Sequence, residues 1–111
     1  MEVKTTRLGV VTYLSPDGPL AEGGFKALEA SVRAVEAGGP VNIVLDLTHV
    51  PFLDSRGLEF LLDLSIELKE AGGSLRLANA NSTCRDILAI TRLDQTILVC
   101  EDIDTAGRSF L

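Results

Sequence analysis

Aromatic side chains are scarce in this sequence: 111 residues hold no tryptophan, one tyrosine and four phenylalanines, so an aliphatic core is expected. Soft metal ligands are equally few. His49 is the single histidine, and Cys84 and Cys100 form no Cys-x-x-Cys pair, which is too little for an ordinary zinc site and fits a reducing, cytoplasmic setting. Positive charge is in deficit, with 10 Lys and Arg against 16 Asp and Glu and a net charge of −6. Such a surface repels phosphate backbones, and no basic stripe offsets it, so nucleic acid is not an expected partner. No apolar run approaches the roughly 18 residues of a membrane helix, and Met1 to Thr6 lacks the apolar segment of an export signal. Neither membrane insertion nor export is expected. What remains is average: 46% hydrophobic and 23% charged residues describe one globular domain over 1–111, able to bury somewhat over 60% of its unfolded surface, at an order-of-magnitude reckoning, without disulfides.

Hydrophobic periodicity outlines the elements. Leu8 to Leu14 is rich in apolar and β-branched types ahead of Ser15-Pro16-Asp17-Gly18-Pro19, which predicts a strand and a turn, with Val3 and Thr5 opening a hairpin partner. Phe25, Leu28, Val32 and Val35 share one helical face between Gly24 and Ala37, with Glu22 and Lys26, and Glu29 and Arg33, spaced as i,i+4 pairs. Gly38-Gly39-Pro40 ends that helix. Val41 to Leu47 alternates, placing Val41, Ile43, Leu45 and Leu47 on one side and Asn42, Val44 and Asp46 on the other, as in a strand covered mainly on one face. A helix from about Ser55 to Ala71, stopped by Gly72-Gly73, leads to a second alternating strand, Ser74 to Ala80, completing a βαβ unit. Asn81-Ser82 caps a third helix to about Thr91, Thr96 to Cys100 reads as a last strand, and Asp102 caps a short final helix.

Several catalytic patterns fail on spacing. Gly18 to Lys26 contains Gly-x4-Gly but continues as Gly24-Phe25-Lys26, without the Lys-Ser/Thr that a phosphate-binding loop needs to reach phosphate and metal. Ser55 is not a hydrolase elbow, because Leu53 stands at the first glycine position of Gly-x-Ser-x-Gly. His49 lies six residues before Ser55, yet no oxyanion loop or carboxylate partner accompanies it, so it reads as a polar loop residue. Cys84 near the start of the third helix reads as a small buried side chain.

The segment that stands out is Val50-Pro51-Phe52-Leu53-Asp54-Ser55-Arg56-Gly57-Leu58, which joins an apolar strand to an amphipathic helix. On local chemistry alone it is a capped helix start. It resembles, however, the hallmark of the anti-sigma factor antagonist family, whose domain is called STAS: an apolar strand ending in Asp, here Asp46, then a loop, then Asp-Ser-Ser/Thr-Gly-Leu opening a helix, here Asp54 to Leu58. Asn79-Ala80-Asn81-Ser82, Leu88 and Leu93-Asp94 extend the resemblance over nearly the whole chain. Two positions depart from it: Arg56 replaces the second Ser/Thr, and Ala21 in Gly18-Pro19-Leu20-Ala21 replaces a frequent aspartate.

The resemblance implies a single STAS domain, an α/β fold with a mixed sheet of four or five strands and helices packed on one face. It implies no catalysis, cofactor or metal of its own. It also implies that Ser55 is the phosphoacceptor of an ATP-dependent serine kinase that doubles as the anti-sigma factor. The unphosphorylated form would capture that kinase and release the sigma factor, and a serine phosphatase would reset the switch. Asp54 would fix the helix start, Asp46 would brace the loop from the strand end, and Gly57 would let a partner approach closely.

General physics agrees with a switch at Ser55. Phosphorylation adds about −1.5 to −2 charge, and a helix N-terminus tolerates that charge through its dipole and free N–H groups, so the fold should survive while the surface changes. Beyond Ser55, residues Glu59, Asp63, Glu67 and Glu70 fall in a stripe roughly 80° wide, flanked by Phe60 and Leu64. The expectation is an acidic rim around apolar anchors, in which Glu59, Asp63 and Phe60 meet a basic partner surface, with Asp54, Arg56 and Gly57 of the loop completing the partner-binding residues. The alternative within the family is an adaptor subunit of a transporter or sensory assembly, in which Ser55 is never modified.

Overall fold

The apolar stretch Leu8 to Leu14, expected as one strand, is instead the end of one strand, a turn and the start of the next. In the computed structural model, which describes residues 1–111, β1 (Val3–Leu8) and β2 (Val11–Pro16) form an antiparallel hairpin with Leu8 opposite Val11. Gly9 takes φ +61 at the first loop position, as a two-residue loop of the II′ kind requires, and Val10 points into solvent at 68% exposure. An apolar residue at the tip conceals the turn from a periodicity argument.

The remaining strands join β2 in parallel, and parallel neighbours need crossovers. Each crossover is a helix: α1 (Lys26–Glu36) leads to β3 (Asn42–Asp46), α2 (Ser55–Glu70) to β4 (Ser74–Ala78), and α3 (Ser82–Ile90) with a 3-10 turn to β5 (Leu98–Cys100). The strand order β1-β2-β3-β4-β5 follows the chain, and α4 (Ile103–Arg108) closes it. The end of α2 shows why both following glycines are needed. Gly72 has φ +94 and donates to the Lys69 carbonyl, while Gly73 donates to the Leu68 carbonyl, closing a Schellman turn. A Cβ on Gly73 would stand 1.9 Å from the Val41 carbonyl oxygen.

The main core lies between the sheet and α1 to α3, where Leu14, Ile43, Leu45 and Leu77 meet Leu28, Leu61, Leu68 and Leu88. Those three helices share one face, as expected. The short α4 crosses to the opposite face, where Ala106 covers Val11, Val44, Ala78 and Cys100. Val44, grouped by alternation with polar Asn42 and Asp46, is therefore fully buried: β3 is a central strand covered on both sides. Arg76 pins α4 by donating to Ser109 Oγ at 3.0 Å and by lying 4.4 Å over the Phe110 ring. No helix is long and apolar enough to cross a membrane.

Candidate functional site

The site is assembled from two loops at the C-terminal ends of β2 and β3. They run side by side as a short extension of the sheet: Gly18 N–H donates to the His49 carbonyl at 3.0 Å, Leu20 to Phe52 at 3.2 Å, and Asp54 to Leu20 at 3.1 Å. Leu20, Leu47, Val50 and Leu53 are buried beneath them and set their height above the core. Ala21, where the resemblance anticipates an aspartate, is itself buried, and its carbonyl receives the Gly24 N–H.

Asp46, at the end of β3, ties the loop that follows it to its neighbours. Its Oδ1 accepts from Thr48 N at 3.1 Å and Asn79 Nδ2 at 3.0 Å, and Oδ2 accepts from Ser15 Oγ at 3.2 Å. Burial alone would raise its pKa, but the hydrogen bonds from Thr48, Asn79 and Ser15 outweigh that and hold the carboxyl below its ordinary value. Asn79 sits at φ +59, a conformation asparagine tolerates better than most residues. Two residues on, Asn81 caps α3 by accepting from Cys84 N at 2.8 Å and donates to the Pro51 carbonyl at 3.2 Å. Cys84 is buried with its thiol pushed up by burial, in keeping with a packing role.

Asp54 is the hub. Its Oδ1 accepts from the N–H groups of Arg56 and Gly57, each at 3.0 Å, and caps α2. Its Oδ2 accepts from Glu22 N at 2.7 Å, holding the left-handed Glu22 (φ +55) in the lead-in to α1. The Gly57, Glu22 and Arg56 N–H groups keep this carboxyl below its ordinary pKa. Sequence alone gives the α2 cap but not the bond to Glu22, a contact 32 residues away.

Gly57 corrects an expectation. A Cβ there would stand 2.0 Å from the Leu20 carbonyl oxygen and 2.9 Å from Leu20 Cβ. Its bare backbone admits the chain's own β2–α1 loop, and Gly57 is buried rather than presented to a partner. The anion-binding capacity of the α2 N-terminus is corrected too. The Arg56 and Gly57 N–H groups are not free, because Asp54 already occupies them.

Ser55 is the first residue of α2 and is exposed, as are Arg56 and Glu59. No hydrogen bond joins Ser55 to His49, which lines a separate groove with Tyr13, Asp46 and Ile103. Beyond Ser55 the expected acidic rim is exposed along α2 at Glu59, Asp63, Glu67 and Glu70. Its supposed apolar flanks lie deeper. Leu64 is a core residue at 3% exposure, and half-buried Phe60 packs on Phe25, with ring centroids 5.2 Å apart.

The structure adds a wall that sequence reasoning missed. Glu29, Arg33 and Glu36 of α1 face Asp63 and Glu67 of α2 across a groove floored by Phe60 and Leu64. The i,i+7 spacing of Glu29 and Glu36 places them on one side of α1, but only the helix packing shows which neighbour they face. Burial, then the hydrogen bond and negative charge of Glu67, raises the Glu36 pKa above its ordinary value.

A family model described as STAS domain matches residues 2–106. The solved structure of an anti-sigma factor antagonist from Mycobacterium paratuberculosis is 27% identical, with a TM-score of 0.86 over 97% of this chain and 92% of that one. An anti-sigma-factor antagonist (STAS) domain protein from Planctomyces limnophilus is 22% identical, with a TM-score of 0.84 over 98% of this chain and 97% of that one. The murine anion transporter Slc26a9 is 19% identical, with a TM-score of 0.79 over 92% of this chain but 18% of the transporter. No curated protein matches the chain by sequence.

Proposed function

Because the chain belongs to the STAS domain family, we propose that it is an anti-sigma factor antagonist working by partner switching. In its unphosphorylated form it binds an anti-sigma factor that is also a serine kinase, and so frees the sigma factor. ATP is consumed by that kinase, which phosphorylates Ser55 and breaks the complex, and a serine phosphatase restores it.

The observation that carries this reading is the exposed Ser55 hydroxyl at the head of α2, on a start that Asp54, Gly57 and the β2–α1 loop make rigid. A kinase needs the hydroxyl accessible, and a binding partner needs the surrounding surface fixed. The occupied N–H groups explain why the modification acts outward. A phosphate on Ser55 finds Arg56 N and Gly57 N already bonded to the Asp54 carboxylate. It therefore stays in solvent beside a like charge, where it leaves the fold intact and must be stripped of water before any partner can close over it. Arg56 screens part of that charge.

The partner-facing surface is the Ser55 loop together with the acidic side of α2 at Glu59 and Asp63, which suits a basic partner. Phe60, packed on Phe25, keeps the start of the α1–α2 groove in shape. The experiment is intact-mass measurement after incubation with ATP and host lysate. Wild type should gain one phosphate and Ser55→Ala none; an unmodified wild type, in a lysate that phosphorylates a control substrate, would count against the proposal. The second reading, an adaptor whose Ser55 is never modified, draws on the domain of the mouse transporter that shares this fold. It predicts constant association with a membrane assembly that Ser55→Asp leaves unchanged.

A further inference from the structure

β1 is an edge strand, and all of its residues except Val3 are exposed. In an antiparallel hairpin every second residue exchanges hydrogen bonds with its partner strand and the others turn away. The two-residue loop closes on Leu8 and Val11, and Asp17 N–H donates to the Glu2 carbonyl at 3.0 Å, so the even-numbered residues face β2. The backbone groups of Val3, Thr5 and Arg7 are thus turned outward. No proline interrupts this row and no segment of the chain covers it. Such a row is a template for another strand.

We infer that the β1 edge pairs with the β1 edge of a second copy of this chain, antiparallel about a two-fold axis at Thr5, to form a continuous ten-stranded sheet. The choice of occupant comes from the strand itself. In this register Thr5 faces Thr5, Val3 faces Arg7 and Lys4 faces Thr6, so no like charges are directly opposed. Sliding by one pair in one direction sets Lys4 against Lys4, and sliding in the other sets Val3 against the turn residue Gly9.

The flank of α1 beside this edge fits the same partner. α1 packs over β1 and β2, and three of its four charged residues, Glu29, Arg33 and Glu36, line the groove with α2, while the fourth, Lys26, is exposed at its start. At 100° per residue the opposite side carries Ala27, Ser31 and Ala34. This small, uncharged flank lets a second α1 approach across the axis. The α1–α2 groove and Ser55 lie on the other side of α1 and stay open in the dimer.

Sedimentation equilibrium across the micromolar range tests the inference without any kinase or phosphate, so its outcome is separate from that of the switch at Ser55. Wild type should show a reversible monomer–dimer equilibrium. Thr5→Pro, which removes an outward N–H, and Thr5→Lys, which opposes two ammonium groups at the axis, should both be monomeric, with circular dichroism and melting like wild type. Leu98→Lys on the other sheet edge should leave the equilibrium as it is. A wild type that is monomeric throughout, or a dimer that survives both Thr5 variants, would overturn the inference.

Discussion

The two long helices beside the candidate site begin in opposite ways. α2 starts on an aspartate that satisfies two of its own N–H groups, whereas α1 starts at Phe25 with no side-chain cap, after Glu22 in the left-handed region and two glycines. The uncapped start is held from outside, by the bond from Glu22 N to the second oxygen of the α2 cap and by the passage of the Leu20 backbone against Gly57. One carboxylate and one missing side chain on α2 thus order both helix starts. The difference teaches that the Asp-Ser-x-Gly sequence is a structural clamp, built from Asp54 and Gly57, that leaves Ser55 exposed at its centre.

Removing the clearance should break the comparison most severely. Gly57→Ala forces a methyl group into the Leu20 carbonyl, and overpacking against backbone costs about 3 kcal/mol. Urea unfolding should show that loss, together with faster amide exchange in the β2–α1 loop. Gly73→Ala meets an equally close carbonyl at Val41 and should cost as much stability while leaving exchange in the β2–α1 loop at wild-type rates.

The clamp's carboxylate comes next. Asp54→Ala should lower the melting midpoint by several degrees and loosen both helix starts, so that amides of Glu22, Arg56 and Gly57 lose protection together. Asp54→Asn keeps a capping oxygen and should fall between that variant and wild type.

A smaller effect is expected from pH. Asp46 and Asp54 are more acidic folded than their ordinary value of 3.8, so their contribution to stability is complete above that value and drains away as pH falls through the folded values below it. Glu36 has the opposite sign. Its folded value is raised above 4.5, so stability is lost as pH rises through it. Glu36→Gln should therefore melt slightly higher than wild type at neutral pH and show no gain at pH 4, as thermal melts across that range would reveal.

Much of this was legible in the sequence because it is local. Alternation and 3.6-residue periodicity place the parallel strands and the three helices between them, the glycine pairs mark the ends of α1 and α2, and Asp54, Asn81 and Asp102 are capping residues whose oxygens do accept from the following turn. The hairpin turn was hidden because Val10 is apolar yet exposed. The position of α4 was hidden because six residues cannot declare which sheet face they cover, and the clue lay instead in Val44, an apolar residue on the side assigned to polar ones. The second role of Gly57, the Glu22 bond and the α1 wall of the acidic groove all depend on residues far apart in sequence, which no short motif records.

The most direct test of the switch is affinity. The Ser55-phosphorylated and unmodified chains should be titrated, side by side with Ser55→Asp, against the purified ATP-dependent kinase that modifies them. The account predicts equal melting temperatures for the two forms and at least a hundredfold weaker binding by the phosphorylated one, about 2.7 kcal/mol. Equal affinity of both forms would contradict it.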